Sequence, residues 1–268
     1  DELHAEDLLN TLKYMNVNQK YKKLLFYLEA CESGSMFLDL PSDINIYATT
    51  ASSENEPSMA TYCYQDGIVN GVNMNICLGD EYSVRWMENS DLKTKGETVG
   101  EQFDITKEET LRSPVQEYGD LSIKQLPISD FQGGNVEYQS NSERRESTIL
   151  PQKNKISSRQ VKLFYLISTY KRTKKLEDLL ELAKERQLMK VTDKFFENFD
   201  FLLKINSEIK VLLSKSIKTS CLKKSISAYK EECKNFDEYT LMYVKNINAA
   251  CNLHDVEEII EVISLLCN

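Results

Sequence analysis

The chain of 268 residues is long enough to form one large domain or two domains of ordinary size. Hydrophobic residues make up 41% and charged residues 28%, a composition typical of a globular protein. No apolar run approaches the roughly 20 residues of a membrane-spanning helix, and a net charge of -9 without a recognisable basic motif argues against a nucleic-acid partner.

The charge is divided unevenly along the chain. Residues 1–134 carry 23 acidic and 10 basic side chains, whereas residues 135–268 carry 19 acidic and 23 basic ones. The resulting net charges of -13 and +4 predict two units that attract each other. Short basic runs such as 171–175 are interpreted as solvated surface.

The first half alternates between helix and strand patterns. Residues 3–15 (LHAEDLLNTLKYM) predict a helix, because their leucines share one face and acidic residues fill the first turn. Residues 23–30 (KLLFYLEA) and 44–51 (INIYATTA) predict strands buried on both faces. Residues 82–91 predict a second helix, so the first half has an α/β pattern.

The second half is helical in pattern and is separated from the first by a linker. Residues 131–158 lack apolar periodicity and contain glycine, serine, asparagine, charges and a proline. From residue 159 onward there is no glycine and no proline, which predicts an all-α domain. The predicted organisation is a first domain at 1–132, a linker at 133–158 and a helical domain at 159–268.

The cysteines indicate disulfide bonds rather than a metal site. The seven cysteines are Cys31, Cys63, Cys77, Cys221, Cys233, Cys251 and Cys267. The four in the helical half allow three connectivities, and spacing does not choose among them. Two disulfides there are favoured over a metal, since the chain has two histidines and the cysteine spacings are long. Cys63 and Cys77 bracket a turn and are candidates for a third bridge, which implies an oxidising compartment.

Cys31 is then left unpaired at the end of a predicted strand. A free cysteine is often a buried packing residue, but the carboxyl end of a strand is also where α/β sheets present catalytic groups. A nucleophilic thiol needs a base. His4 and His254 are interpreted as surface or packing residues, so the residues alone yield a candidate thiol without a partner.

Four motifs resemble the legumain family of asparaginyl endopeptidases, also called vacuolar processing enzymes. They are EACESGSM (29–36), NIYATTAS (45–52), TYC (61–63) and CLGDEYSVRWMENSD (77–91). The four cysteines of the helical half fall at nearly the spacing of the legumain prodomain, so the resemblance covers almost the whole chain. It implies a partial caspase-like α/β catalytic domain, a sheet flanked by helices, followed by an all-α, death-domain-like prodomain.

The resemblance also assigns roles to individual residues. Cys31 matches the catalytic thiol. Glu29, Ser58 and Asp80 match residues of the pocket for the asparagine that precedes the scissile bond. A pocket with carboxylates on one side and a cation on the other reads the donor and acceptor of an amide. Glu32 matches an acid beside the nucleophile, with a role in active-site electrostatics. In the helical half the family pairing implies Cys221 with Cys251 and Cys233 with Cys267.

One part of the family pattern has no counterpart here. In legumains the catalytic histidine, the glycine after it and the pocket arginine lie upstream of the segment where this chain begins, and the chain opens with Asp rather than Met. We therefore expect a truncated chain or an incomplete relative. By itself it should not hydrolyse peptides, because a thiol with a pKa of about 8.5 is mostly protonated without a base.

The family implies latency as well as activity. The helical prodomain covers the active site at neutral pH and is released in acid after cleavage in the linker, where Asn135, Asn141 and Asn154 are the candidates. Ion pairs between the acidic first half and the basic second half would weaken as carboxylates protonate. Each exposed pair contributes about 0 to 1 kcal/mol, so a network is needed.

The function implied is cleavage after asparagine, or after aspartate in acid, through a thioester on Cys31. The expected partners are proteins or peptides with an exposed asparagine and the prodomain of the same chain, with no cofactor, no metal, no nucleic acid and no membrane span. The expected location is the secretory pathway leading to the lysosome or vacuole, or secretion. The alternatives are a non-catalytic binding protein, a peptide ligase and a transamidase.

Overall fold

The chain forms two compact units. The computed structural model describes residues 3–63, 67–74, 76–92, 96–133 and 156–268. Contacts divide the chain into a first unit at Asp1–Ser158 and a second unit at Arg159–Asn268. The last residues of the predicted linker, 156–158, therefore belong to the first unit.

The first unit combines helices with short strands, as the alternating patterns predict. Its helices are α1 (Ala5–Val17), α2 (Glu81–Leu92), α3 (Val99–Glu109) and α4 (Ser129–Gln132). Its strands are β1 (Leu24–Leu28), β2 (Ile46–Thr50), β3 (Met59–Thr61), β4 (Ile68–Val69), β5 (Val72–Asn73), β6 (Gly79–Asp80), β7 (Gln116–Gly119) and β8 (Ile156–Ser157). Short 3-10 helices lie at Ser33–Met36 and Leu121–Gln125.

The main sheet has β2 at its centre, in the order β1-β2-β7. β1 runs parallel to β2, with Leu24 opposite Ile46, and β7 runs antiparallel to β2. Every residue of β2 is buried, as predicted, whereas β1 is half-buried along its length. The prediction of burial on both faces is wrong for β1. Among the described residues it pairs with β2 alone, so its outer edge has no covering strand.

A second sheet carries three very short strands in the order β6-β3-β8. β3 is antiparallel to both neighbours, and Ala60 lies opposite Asp80 on one side and Ile156 on the other. The hairpin of β4 and β5 lies between β3 and β6 in the chain. The end of the predicted linker thus adds a strand to the sheet that contains Asp80.

The predicted helices of the first unit bury the faces that their patterns indicate. Leu9 and Leu12 of α1 are buried against Phe37, Ile44 and Ile46. α2 extends the predicted helix by one residue at each end and packs against α3. α1 therefore packs beside β2 of the main sheet, and α2 packs against β3 and β6 of the second sheet.

The second unit is built from helices, as the absence of glycine and proline predicts. Its helices are α5 (Val161–Thr173), α6 (Leu176–Leu202), α7 (Ser207–Leu213), α8 (Thr219–Cys233), α9 (Val244–Leu253) and α10 (Val256–Cys267), with a 3-10 helix at Thr240–Tyr243. Phe196 and Phe199 of α6, Tyr229 of α8 and Ile259 of α10 form its core. The death-domain resemblance stays a prediction. Among the described helices, none has the length and apolar character that crossing a bilayer requires.

Candidate active site

Cys31 lies just beyond β1, where the chain turns sharply. β1 and β2 are parallel, so their carboxyl ends meet at the same edge of the sheet. Glu32 takes a left-handed conformation with φ of 52°, and the chain then enters the 3-10 helix that begins at Ser33. A left-handed non-glycine residue is uncommon and marks a turn that the surroundings hold in place. This turn leaves the Cys31 side chain at the end of the strand.

Hydrogen bonds to the end of β2 hold the Cys31 turn. The Ser33 backbone N–H donates to Ser52 Oγ at 3.2 Å, and Ser52 Oγ donates to the Ala30 carbonyl at 3.1 Å. Gly34 donates to the Ser52 carbonyl at 3.1 Å. A Cβ on Gly34 would lie 2.8 Å from the backbone nitrogen of Glu54 and would also collide with the Tyr118 hydroxyl. Glycine is therefore required three residues after the thiol.

Ser58 contacts the Cys31 thiol. Cys31 Sγ lies 3.6 Å from Ser58 Oγ and 3.9 Å from the Ser58 carbonyl oxygen. Ser58 is 2% exposed and Cys31 is 9% exposed. A buried thiol beside a hydroxyl and a carbonyl is arranged for hydrogen bonding, but neither group is a base that accepts its proton near neutral pH.

Glu29 is held by the first turn of α2. Its Oε2 accepts hydrogen bonds from the Ser83 backbone N–H at 2.9 Å and from the Ser83 hydroxyl at 2.8 Å. Burial raises the pKa of Glu29 to about 7, the Ser83 hydroxyl opposes this, and the nearby Asp80 charge adds to it. The other oxygen, Oε1, is buried and has no hydrogen-bond partner in the described part of the chain.

Asp80 and Ser58 are joined by Ser158. The Ser158 hydroxyl donates to Asp80 Oδ1 at 2.5 Å and accepts from Ser58 Oγ at 3.3 Å. The Ser158 backbone N–H donates to the Ser58 carbonyl at 3.1 Å, extending the pairing of β8 with β3. Hydrogen bonds thus connect Cys31, Ser58, Ser158 and Asp80, and the Asp80 charge and the Ser58 hydroxyl also act on the pKa of Glu29.

Glu32 lies next to Cys31, and its observed contribution is to the backbone turn. Its N–H donates to the Glu56 carbonyl at 2.9 Å, and its own carbonyl accepts from the Ser35 N–H at 2.9 Å. The role in active-site electrostatics stays a prediction. The linker candidates Asn135, Asn141 and Asn154 lie outside the described residues.

Both histidines have structural surroundings within their own units. His4 is the N-cap residue of α1. His254 ends α9, with Nδ1 3.0 Å from Glu258 Oε2 and Nε2 2.9 Å from the Leu203 carbonyl oxygen. Within the first unit, the described hydrogen-bond partners of the Cys31 thiol are atoms of Ser58. Among the described residues, the geometry gives a buried thiol with polar neighbours and assigns no base.

Three disulfides account for the other cysteines. They join Cys63 to Cys77, Cys221 to Cys251 and Cys233 to Cys267, and Cys31 is free. These are the pairs that the sequence and the family resemblance led us to expect. No group of three or more potential metal ligands occurs in the described ranges.

Sequence reasoning missed two residues of the cluster. Ser83 lies three positions after Asp80 at the start of a predicted helix, and the free N–H groups of that turn were a signal that it could bind a carboxylate. Ser158 lies at the end of a polar linker, and its sequence surroundings carry no signal for a strand.

Comparison with known proteins identifies the family. Residues 1–134 match the Peptidase C13 family. Legumain of Bos taurus is 33% identical over 288 residues, covering 100% of this chain and 62% of that protein. Hemoglobinase of Schistosoma japonicum is 38% identical over 213 residues, covering 76% of this chain and 48% of that protein. Vacuolar-processing enzyme of Vicia sativa is 41% identical over 146 residues, covering 52% of this chain and 30% of that protein.

These relatives are longer than the chain, which spans between 30% and 62% of their length. The family match nevertheless includes the whole β1 to β7 region and every predicted pocket residue. The alignment with the Bos taurus protein also extends through the helical unit, since it covers the entire chain. The chain therefore belongs to the Peptidase C13 family.

Proposed function

We propose that this chain is part of a cysteine endopeptidase that cleaves peptide bonds after asparagine, and after aspartate in acid. The observation that supports it most is the contact between Ser58 and the buried thiol of Cys31, with Ser158 linking Ser58 to Asp80, in a chain of the Peptidase C13 family. Cys31 is the nucleophile, and the other three residues line the pocket for the asparagine side chain.

The reaction has two covalent steps. The Cys31 thiolate adds to the backbone carbonyl carbon of the asparagine, and the C–N bond to the next residue breaks as the amine leaves with a proton. Water then adds to the thioester, and the C–S bond breaks to release the acid and the thiol. The residue that takes the thiol proton is not assigned by the described residues, and we expect it from an upstream histidine in the complete gene product.

The pocket chemistry fits a carboxamide. Asp80 accepts a hydrogen bond from the Ser158 hydroxyl, so it can equally accept one from an amide N–H. A protonated aspartate presents one O–H donor and one carbonyl acceptor, as asparagine does. Cleavage after aspartate is therefore expected in acid, where that side chain is neutral.

Peptide cleavage tests the assignment of Cys31. The complete gene product should cleave an asparaginyl peptide and not its glutaminyl counterpart, and Cys31→Ala should lower kcat/KM by about a thousandfold or more. This chain by itself should show no turnover. Undiminished cleavage by Cys31→Ala would contradict the assignment of Cys31 as the nucleophile. Turnover by this chain by itself would contradict the assignment of the base to an upstream residue.

Latency is part of the proposal and is supported by β8. The chain that leads into the helical unit pairs with β3 and puts the Ser158 hydroxyl on Ser58 and Asp80, where the asparagine side chain would bind. Ser158 then acts as a plug for the pocket. Ser158→Ala in the complete gene product should raise cleavage at neutral pH, while Ser227→Ala on the exposed face of α8 should not. Equal rates for both variants would contradict the plug.

Charge attraction between the two halves is the second element of latency. The net charges of -13 and +4 predict that the halves separate as carboxylates protonate or as salt screens them. After linker cleavage, size-exclusion chromatography should show association at pH 7 and separation at pH 4 or in high salt. Equal association under all three conditions would contradict the electrostatic latch.

The proposed location is the secretory pathway leading to the lysosome or vacuole, or secretion. Three disulfides form most readily in an oxidising compartment. One relative is named a vacuolar-processing enzyme. Immunofluorescence against lysosomal, vacuolar and cytosolic markers tests this, and a cytosolic signal would contradict it.

A further inference from the structure

The first turn of α2 contacts one oxygen of a pocket carboxyl. α2 begins directly after Asp80, the last residue of β6, so the strand and the helix meet at the pocket. The backbone N–H groups of a first helical turn have no partner inside the helix and favour an acceptor with negative charge. Ser83 in this turn directs both its N–H and its hydroxyl at Glu29 Oε2.

Two donors on one oxygen fix the orientation of the Glu29 carboxyl. Oε2 is occupied by Ser83, so Oε1 is the oxygen left for another partner. Buried polar atoms are almost always hydrogen-bonded, yet Oε1 is buried without a partner in the described part of the chain. The Ser58 hydroxyl lowers the pKa of this carboxyl as a hydrogen-bond donor, and the Asp80 charge raises it.

The same two donors decide which oxygen carries the proton when Glu29 is neutral. An oxygen that accepts an N–H and an O–H has no room for a hydrogen of its own that points the same way, so the proton belongs on Oε1. The titratable groups that interact with Glu29 in the described part of the chain are the Asp80 carboxylate and the Tyr82 phenol. Oε1 is then a donor when Glu29 is neutral and an acceptor when it is ionised.

We propose that Ser83 is a positioning residue that holds Glu29 Oε2 and so presents Oε1 to the side chain of the residue before the scissile bond. This inference rests on the proposed function for its substrate. The hold that Ser83 has on Glu29 can be measured without any activity.

The first experiment measures the titration of Glu29 by carbon NMR in this chain, with glutamate labelled at the side-chain carboxyl. Ser83→Ala removes a hydroxyl donor from the ionised form, so the midpoint should rise by about one pH unit. Ser83→Thr keeps the hydroxyl and should restore the original midpoint. Ser90→Ala is the matched control, since the Ser90 hydroxyl on the same helix donates to the Trp86 carbonyl at 2.8 Å. An unchanged midpoint in Ser83→Ala overturns the proposal.

The second experiment measures cleavage of an asparaginyl peptide by the complete gene product. Loss of positioning weakens binding of the asparagine side chain, so Ser83→Ala should raise KM by about tenfold with a smaller change in kcat. Ser83→Thr should restore KM. A shifted Glu29 midpoint with unchanged KM overturns the orientation of Oε1 toward substrate. Absence of turnover in the wild-type protein counts against the proposed function, and the NMR result then decides the role of Ser83 separately.

Discussion

Among the described residues, the first unit buries about twice as many polar side chains as the second. In the first unit, buried Glu81 pairs with Arg112 at 3.0 Å, and Asn89 donates to Glu97 at 2.8 Å. In the second unit, the core cluster is formed by aromatic and aliphatic side chains of α6, α8, α9 and α10. Polar burial requires each group to find its partner, whereas apolar burial is favourable without one. The first unit, which contains the thiol, therefore depends on more hydrogen-bond and ion-pair partners than the second.

The disulfides follow the same division. In the second unit, Cys221–Cys251 joins α8 to α9 and Cys233–Cys267 joins the ends of α8 and α10, so both cross the core. In the first unit, Cys63–Cys77 closes the stretch that contains the β4–β5 hairpin. Both disulfides of the helical unit therefore join helices that pack together in its core. The disulfide of the first unit lies next to its second sheet.

Removing an aromatic ring from each core should have the largest effect. Phe199 and Phe37 are both fully buried, so Phe199→Ala and Phe37→Ala should each lower the free energy of unfolding by about 3 to 5 kcal/mol. The single tryptophan, Trp86, lies on α2 and reports the first unit by fluorescence, while far-UV circular dichroism follows the helices. Phe37→Ala should lower the midpoint of the unfolding transition followed by Trp86 fluorescence. Phe199→Ala should lower the midpoint of the transition followed by circular dichroism. Equal shifts of both signals in either variant would show that the units unfold together.

Removing a disulfide from each unit should have the next largest effect. In the chain-entropy view, Cys221→Ala with Cys251→Ala should destabilise the helical unit by about 3 to 4 kcal/mol. Cys63→Ala with Cys77→Ala should cost about 3 kcal/mol and should appear in the Trp86 signal. Urea unfolding of both double variants provides the measurement. If the second pair leaves the Trp86 transition unchanged, the hairpin cross-link does not stabilise the first unit.

Neutralising one carboxyl in each unit should change the free energy of unfolding in opposite directions. Burial raises the pKa of Glu29 from 4.5 to about 7, so its contribution to stability is complete below pH 4.5 and is lost as pH rises through 7. Glu29→Gln should therefore raise the free energy of unfolding at pH 8, by about 1 to 3 kcal/mol, and change it little at pH 4. Urea unfolding followed by Trp86 fluorescence at both pH values measures this.

Glu185 in the second unit is the matched comparison. It is 8% exposed, and its Oε2 lies 2.5 Å from Lys162 Nζ, so it has the cationic partner that Glu29 lacks among the described residues. Glu185→Gln should lower stability at pH 8, because it removes the charge that Lys162 pairs with. Stabilisation by both substitutions, or by neither, would contradict the prediction that the two carboxyls affect stability at pH 8 with opposite sign.

The elements of the fold were largely predictable, because their signals are local. The leucine face of α1, the apolar run of β2 and the absence of glycine and proline after residue 159 each predict the observed element. β1 was predicted as a strand but not as a half-buried one, since the number of neighbouring strands is not a local property. β8 was missed because two residues of strand produce no periodicity.

The candidate site was predictable only in part. The family motifs pointed to Cys31 and to three predicted pocket residues, of which Ser58 contacts the thiol and Asp80 is joined to Ser58 through Ser158. Ser83 and Ser158 were not found, because each acts through hydrogen bonds to residues distant in sequence. Such a contact depends on where β6, α2 and β8 meet, and pairing across 54 or 78 positions has no signature in a single sequence.

Helix caps give the smallest effect and extend the comparison to the helix ends. α3 of the first unit begins with a capping box, in which Thr98 Oγ1 accepts from the Glu101 N–H at 3.2 Å and Glu101 Oε2 accepts from the Thr98 N–H at 2.8 Å. The N-cap residue of α6 in the second unit is Lys175, whose side chain makes no cap hydrogen bond. Thr98→Ala should lower the stability of the first unit by about 1 kcal/mol.

Lys175→Ser is the reciprocal change and should stabilise the helical unit by about 0.5 to 1 kcal/mol, since a serine can accept from a free N–H of the first turn. Thermal unfolding followed by circular dichroism and by Trp86 fluorescence measures both variants. Lower stability in Thr98→Ala together with higher stability in Lys175→Ser would mean that the cap hydrogen bond stabilises the first unit. It would also mean that the second unit relies on packing where its α6 lacks such a cap. If Lys175→Ser brings no gain, the start of α6 is already fixed by its packing against α5, and caps do not distinguish the two units.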